Sequence, residues 1–372
     1  MKETGRPHVI LATGGTGGHI YPATATARAL VARGIDVSFV GQQRGLEARI
    51  VPAEGFTFYG VRAGKWHRGN PDPREAVRAV LGFTDALGLL RRLEPSLVLG
   101  FGGFASFPAL AAARILGVPY ALHEQNAYPG KVVRWFARGA RFIAAATSEA
   151  DAHLPGKPEI VGVPVREARV DRIEARRKLG LPEDATVTLV MGGSQGSLVL
   201  NRAVPDAFYR LPDPFKTSLS VLHSSGSNHL EATRTQCAEL AGYRVDGYLD
   251  SVLAWSAADL GITRAGNGTL AEAAFHGVPL VMVPLPSAAD NHQLHNARAV
   301  ATAGAGLIVE EREIEALPEA WSRLLEPSFR AQASEAAARR SPAGAAERLA
   351  ALVENTLRQA PRKRKTMALE TL

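Results

Sequence analysis

Four glycine-rich turns carry most of the residues in this 372-residue chain whose types and spacing suit chemistry. The first, Gly14-Gly15-Thr16-Gly17-Gly18-His19, lets backbone approach a ligand closely. It ends on a histidine, whose ordinary pKa of about 6.5 allows proton transfer at working pH. No Lys-Ser/Thr pair closes the turn, so it is not an ATP-hydrolysing phosphate loop. The second, Gly100-Phe101-Gly102-Gly103-Phe104-Ala105, matches a dinucleotide fingerprint, with Glu124 downstream where a ribose-binding acid would stand. A nicotinamide or flavin enzyme is therefore one reading, although that fingerprint normally occupies the first strand–helix turn. The third is Gly192-Gly193-Ser194-Gln195-Gly196-Ser197. The fourth runs from Arg264 through Gly266, Asn267, Gly268, Thr269, Leu270 and Ala271 to Glu272. A tight turn opening a helix offers free N–H groups to a diphosphate, and Glu272, one turn further on, can accept hydrogen bonds from a ribose diol. Thr269-x-x-Glu272 also has the spacing of a capping box, in which the carboxylate only bonds the helix end.

The elements that must position these turns are strands and helices in alternation, the pattern of parallel α/β folds. Strands are expected at 8–12, 36–40, 97–100, 120–123 and 142–145, with helices at 23–33, 47–54, 74–93, 107–116 and 131–136. After Val161–Pro164 the alternation restarts, with strands at 186–191, 219–223, 243–246, 260–263 and 280–284. This predicts two doubly wound units, 1–163 and 164–341, facing across a cleft that holds two substrates at the carboxyl ends of the strands. A helix at 342–357 is expected to pack back on the first unit, ahead of a basic tail at 359–372.

Composition permits this and narrows the partners. Hydrophobic residues make up 46% and charged residues 21%, enough apolar side chains for two full cores. The single cysteine, Cys237, can form neither an internal disulfide nor a cysteine zinc cluster. No run of about 18 apolar residues offers a membrane span or a secretion signal, so a cytoplasmic location is expected. Of the formal charge of +7, five positives sit at Arg358, Arg362, Lys363, Arg364 and Lys365. Such an end is either solvated chain or an anionic-membrane contact, and no basic–aromatic face points to nucleic acid.

At this point the chain resembles the MurG-type family of UDP-N-acetylglucosamine:lipid-linked N-acetylmuramyl-pentapeptide N-acetylglucosaminyltransferases. The matches are GGTGGH at 14–19, GFGGFASFP at 100–108, HEQN at 123–126, GVPVR at 162–166, GGSQG at 192–196, the 264–272 segment and DNHQ at 290–293. Seven motifs in order cover nearly the whole chain. The resemblance implies the two-domain GT-B architecture, with the acceptor on the N-terminal domain and the nucleotide sugar on the C-terminal one. It places Arg166, Ser194 and Asn267–Thr269 near the donor diphosphate and sugar, Glu272 at the ribose hydroxyls, and the Leu249 backbone at the uracil. Gln293 and Asn126 fall at the N-acetylglucosamine, and Thr16, Gly17 and Gly18 close the site from the opposite domain. Gly102, Gly103, Phe104, Ser106 and Asn126 fall on the acceptor side. Asn267-Gly268 departs from the small apolar pair common there, and Phe104 stands where tyrosine is common.

The implied reaction inverts the anomeric centre: the 4-hydroxyl of N-acetylmuramic acid in lipid I displaces UDP, giving lipid II for cell-wall synthesis. His19 is the expected base, with substrate positioning as its alternative role. Helix N-termini after Gly196 and Gly268, with Arg166 and Arg264, are expected to ease departure of UDP. No Asp-x-Asp pair is present, so neither a metal nor another cofactor is expected. Because the acceptor carries a lipid, contact with the cytoplasmic face of an anionic membrane is expected through Trp66, Val80 and Phe83 beside basic residues. Other proteins of cell-wall assembly are further conceivable partners. The competing functions are another GT-B enzyme, such as a glycolipid synthase or a sugar-nucleotide 2-epimerase, and a non-catalytic nucleotide-sugar-binding scaffold.

Overall fold

A computed structural model of the chain describes residues 6–64, 73–193, 195–340 and 343–359. The expected alternation folds into two parallel sheets. The first is built from β1 (His8–Ala12), β2 (Asp36–Gln42), β3 (Phe58–Val61), β4 (Leu97–Gly100), β5 (Tyr120–Glu124), β6 (Ile143–Ala145) and β7 (Glu159–Ile160). Its spatial order is β3-β2-β1-β4-β5-β6-β7. The second contains β8 (Thr186–Met191), β9 (Leu219–Ser224), β10 (Tyr243–Asp246), β11 (Leu260–Thr263), β12 (Leu280–Met282) and β13 (Gly306–Ile308), in the order β10-β9-β8-β11-β12-β13. Central strands such as β4 and β11 are buried at every residue. They read as continuous runs rather than alternating ones because helices cover both faces of each sheet.

These strand orders explain where the glycine-rich turns come together. In the first sheet the winding reverses between β1 and β4, which pair directly. The turns after those two strands, 14–19 and 100–105, therefore emerge side by side. In the second sheet the reversal lies between β8 and β11, also paired, and brings the turns after them together. A crevice at each reversal is where ligands bind in open α/β sheets.

Three strands escape the sequence pattern: β3, β7 and β13. All lie at sheet edges, are two to four residues long and are less completely buried. The first helix also begins earlier than its periodicity predicts, at Gly17 rather than near 23. Gly17, Gly18 and Pro22 are poor helix formers, and they hide a first turn that the fold imposes.

The C-terminal helix, Ala345–Gln359, packs on the first sheet's helical layer. Leu349, Ala350 and Val353 are fully buried in one cluster with Val9, Ile20, Ala23 and Leu30. Arg33, which caps the first helix, Gly17–Ala32, bonds Glu347 at 2.9 Å and Glu354 at 2.8 Å. Glu167, in the segment joining the two sheets, accepts from the N–H groups of Gly344 and Ala345, at 2.7 to 3.1 Å, and so caps this helix.

Candidate active site

Between the sheets lies a cleft of about 2080 Å³. A single ligand site usually occupies about 300–1,000 Å³, so this one has room for two substrates. Thr16, Gly17, Gly18 and His19 form one wall, and Gly266–Thr269, Glu272 and Gln293 form the opposite wall. The walls are close. A Cβ on Gly18 would lie 2.4 Å from Asn267 Oδ1, so only glycine at 18 lets the two turns approach. Asn267 Oδ1 also accepts from the Gly268 N–H at 2.8 Å, using one of that helix end's free donors.

His19 stands on the first turn of its helix. Its Nδ1 is 3.0 Å from Thr16 Oγ1, and a Cβ on Gly102 or Gly103 would touch its ring at 3.4–3.7 Å. Burial among these groups, followed by the nearby His292 and His123, pushes its pKa down to about 4. The imidazole is therefore neutral at neutral pH.

Glu272 does not form the capping box that its spacing permits. The helix is Asn267–His276 with Gly266 as its cap, which puts Thr269 inside it. Glu272 Oε2 instead accepts from Trp255 Nε1 at 3.0 Å, and the carboxylate lines the cleft. Burial raises its pKa, and the Trp255 bond opposes that rise. Gln293 Oε1 accepts from the N–H groups of Ala265 at 3.2 Å and Leu285 at 3.0 Å, which leaves its amide N–H groups as donors. Leu249 is buried at the cleft edge, and Arg166 is exposed there.

Asn126 is already engaged at both ends of its side chain. Its Nδ2 donates to Glu124 Oε1 at 3.0 Å, and its Oδ1 accepts from Asn296 Nδ2 at 3.2 Å. One N–H remains for a ligand. Asn296, absent from the motifs, also accepts from Ala127 N and donates to Ala265 O, so it ties the two walls together. Glu124 removes the dinucleotide reading. It is 2% exposed, and its oxygens take the N–H groups of Asn126 and Gly130, which leaves it no open face toward a ribose.

Several expected positions are not brought to the cleft. The Arg264 side chain turns into the second domain, pairs with Glu311 at 2.5 Å and donates to Val283 O, so it lends no charge to a diphosphate. Ser106 is fully buried, and its hydroxyl donates to Gly103 O. Gly103 and Phe104 line the cleft, whereas Gly102 lies behind them against His19. Leu270 and Ala271 face a separate small interdomain cavity of about 50 Å³. Val80 is 63% exposed, but Phe83 is half-buried and packs on the first core, so only Val80 of that pair presents an apolar surface. Ser194, Trp66 and the basic residues 362–365 lie outside the described residues. Trp255, Asn296 and Glu47 carried no motif signal and emerge only from the packing.

Two Rossmann-like sheets facing across a cleft, with helix N-termini, a carboxylate and a neutral histidine lining it, define a GT-B glycosyltransferase. Two family models match: the glycosyltransferase family 28 N-terminal domain over residues 9–145 and the C-terminal domain over 187–352. A protein from Deinococcus radiodurans named UDP-N-acetylglucosamine–N-acetylmuramyl-(pentapeptide) pyrophosphoryl-undecaprenol N-acetylglucosamine transferase is 47% identical, over 95% of this chain and 96% of its own. A protein of the same name from Thermus thermophilus is 44% identical, over 93% and 99%. A crystal structure of MurG from Acinetobacter baumannii superposes with a TM-score of 0.78 at 29% identity, covering 94% of this chain and 99% of that one. The chain belongs to glycosyltransferase family 28, within the group of these N-acetylglucosamine transferases.

Proposed function

We propose that this chain transfers N-acetylglucosamine from its UDP donor to the 4-hydroxyl of lipid-linked N-acetylmuramyl-pentapeptide, with inversion at the anomeric carbon. The observation that carries the reading is a single cleft, with room for two substrates, lined by His19 from the first domain and by Glu272 and Gln293 from the second. Thr16 holds Nδ1, leaving Nε2 to take the proton of the attacking hydroxyl as the new C–O bond forms. The bond from the anomeric carbon to the diphosphate breaks, and UDP leaves with the electron pair. Negative charge growing on the diphosphate meets the N-terminus of the Asn267–His276 helix and the Arg166 guanidinium. Glu272 holds the ribose through the oxygen that Trp255 leaves free, and the Gln293 amide holds the sugar.

The domain limits that go with this reading are 1–163 for acceptor and membrane contact and 164–341 for the donor, followed by the returning helix. Among the described residues no helix is long and apolar enough to cross a membrane. Val77 at 57% and Val80 at 63% exposure are the apolar side chains that would meet the lipid headgroups. Product analysis after incubation with UDP-N-acetylglucosamine and a short-chain lipid-I analogue tests the assignment. A β-linked disaccharide on the lipid is expected. Free 2-epimerised sugar, or a sugar joined to a lipid lacking the muramyl peptide, would overturn it.

A further inference from the structure

One buried carboxylate beside the cleft belongs to none of the groups above. Glu47 opens the helix Glu47–Ala53 and has no exposed surface. Its Oε2 accepts from the Gly15 N–H at 3.2 Å and its Oε1 from the Gln42 N–H at 2.8 Å. Among the described residues no cation pairs with it. A carboxylate taken out of water is costly unless hydrogen bonds compensate, so these two N–H groups are what keep it in place.

Glycines on two segments, the turn at 14 and the stretch 41–45, leave room for it. A Cβ on Gly14 would lie 2.1 Å from Oε1, one on Gly41 2.7 Å from Cγ, and one on Gly45 2.5 Å from Cδ and both oxygens. The bond that matters for chemistry is the one to Gly15. Gly15, at a φ of +88°, immediately precedes Thr16, whose hydroxyl meets His19 Nδ1. An unbroken path thus runs from the buried carboxylate through one backbone N–H to the imidazole.

We propose that Glu47 is a positioning residue for the transfer reaction. Its carboxylate fixes the Gly14–Gly15 turn and, through it, the Thr16–His19 pair that faces the acceptor hydroxyl. The proposal rests on His19 acting as the base.

The test uses Glu47→Gln, Glu47→Ala, Gly45→Ala and the Gly45→Ala/Glu47→Ala double variant in the full chain. Gln keeps the shape but presents an NH₂ to one of the two N–H donors. Misplacing a reacting group by about 1 Å can cost on the order of a hundredfold. Glu47→Gln is accordingly expected to lower kcat by about ten- to a hundredfold. The KM for UDP-N-acetylglucosamine should stay within about threefold, because the Glu272, Gln293 and 266–269 contacts that hold most of the donor sit on the other domain. Gly45→Ala, which pushes on the carboxylate from outside the site, should lower kcat in the wild-type background and not further in Glu47→Ala. Nitrogen NMR of the imidazole, assigned with His19→Asn, should show the His19 signals shifted in Glu47→Gln. Unchanged kcat and unchanged His19 signals in Glu47→Gln, or independent effects of the Gly45 and Glu47 changes, would overturn the proposal. If Glu47→Ala does not fold, Glu47→Gln and Gly45→Ala still decide it. Absence of transfer by the wild-type chain would count against the proposed reaction alone, since the NMR comparison reports on the Glu47–His19 link without turnover.

Discussion

Replacing Glu272 by alanine should remove most of the chain's ability to recognise the ribose while leaving the chemistry intact. Trp255 Nε1 occupies Oε2 at 3.0 Å, so Oε1 is the oxygen available to a ribose hydroxyl. A hydrogen bond to a charged group contributes about 1.5–3 kcal/mol, which is roughly 10- to 150-fold in affinity. Titration calorimetry should therefore show UDP binding weakened by that factor. The KM for the donor should rise in parallel with little change in kcat, because ground state and transition state lose the same contact. The sharper comparison uses 2′-deoxy-UDP. The wild-type chain should bind it at least about tenfold more weakly than UDP. The Glu272→Ala variant should bind both alike. Since burial raises the Glu272 pKa, donor affinity should also begin to fall at a higher pH than for an ordinary carboxylate as acid is added. The variant leaves the Trp255 N–H without its partner in the core, so unfolding must be followed alongside. Equal discrimination of the two nucleotides by wild type and variant would refute the assignment of Glu272 to the ribose.

Two further outcomes follow from the packing. Leu349→Ala removes a fully buried side chain from the contact between the C-terminal helix and the first helix, and should lower stability by about 2–5 kcal/mol; a loss under about 1 kcal/mol in urea unfolding would mean the helix is not part of that core. His123 and His223 are fully buried, with pKa values held by desolvation at about 4 and about 3 against the ordinary 6.5. Below pH 6.5 the unfolded chain takes up these protons first, so stability is lost as pH falls from 6.5 toward those folded-state values. Between pH 6 and 5 the pair should remove about 2 kcal/mol, and a His223→Gln variant should show a shallower slope in the same interval.

Much of this site was legible because its turns follow strands whose apolar runs are unmistakable. Gly14–His19 comes directly after HVILA, and the 264–272 segment directly after LGIT. Knowing the strands, one knows where the turns emerge. The side chains that set those turns in place were not legible, because their roles depend on segments distant in sequence. Glu47 reaches Gly15 across 32 residues, and Asn296 reaches Asn126 across 170. The direction of a side chain was equally hidden. Arg264 and Ser106 sit inside matching motifs, yet one pairs with Glu311 and the other with a carbonyl of its own turn. Trp255 looks like any core aromatic until its indole N–H is found on Glu272.

The most direct test of the account is transfer of radiolabelled N-acetylglucosamine from its UDP donor to a short-chain lipid-I analogue, measured for the wild-type chain and for His19→Asn. Label in the disaccharide lipid is expected with the wild type, and a fall of about a hundredfold or more in kcat with His19→Asn at similar donor affinity. Donor binding with no label in the lipid, or full transfer by His19→Asn, would contradict the account.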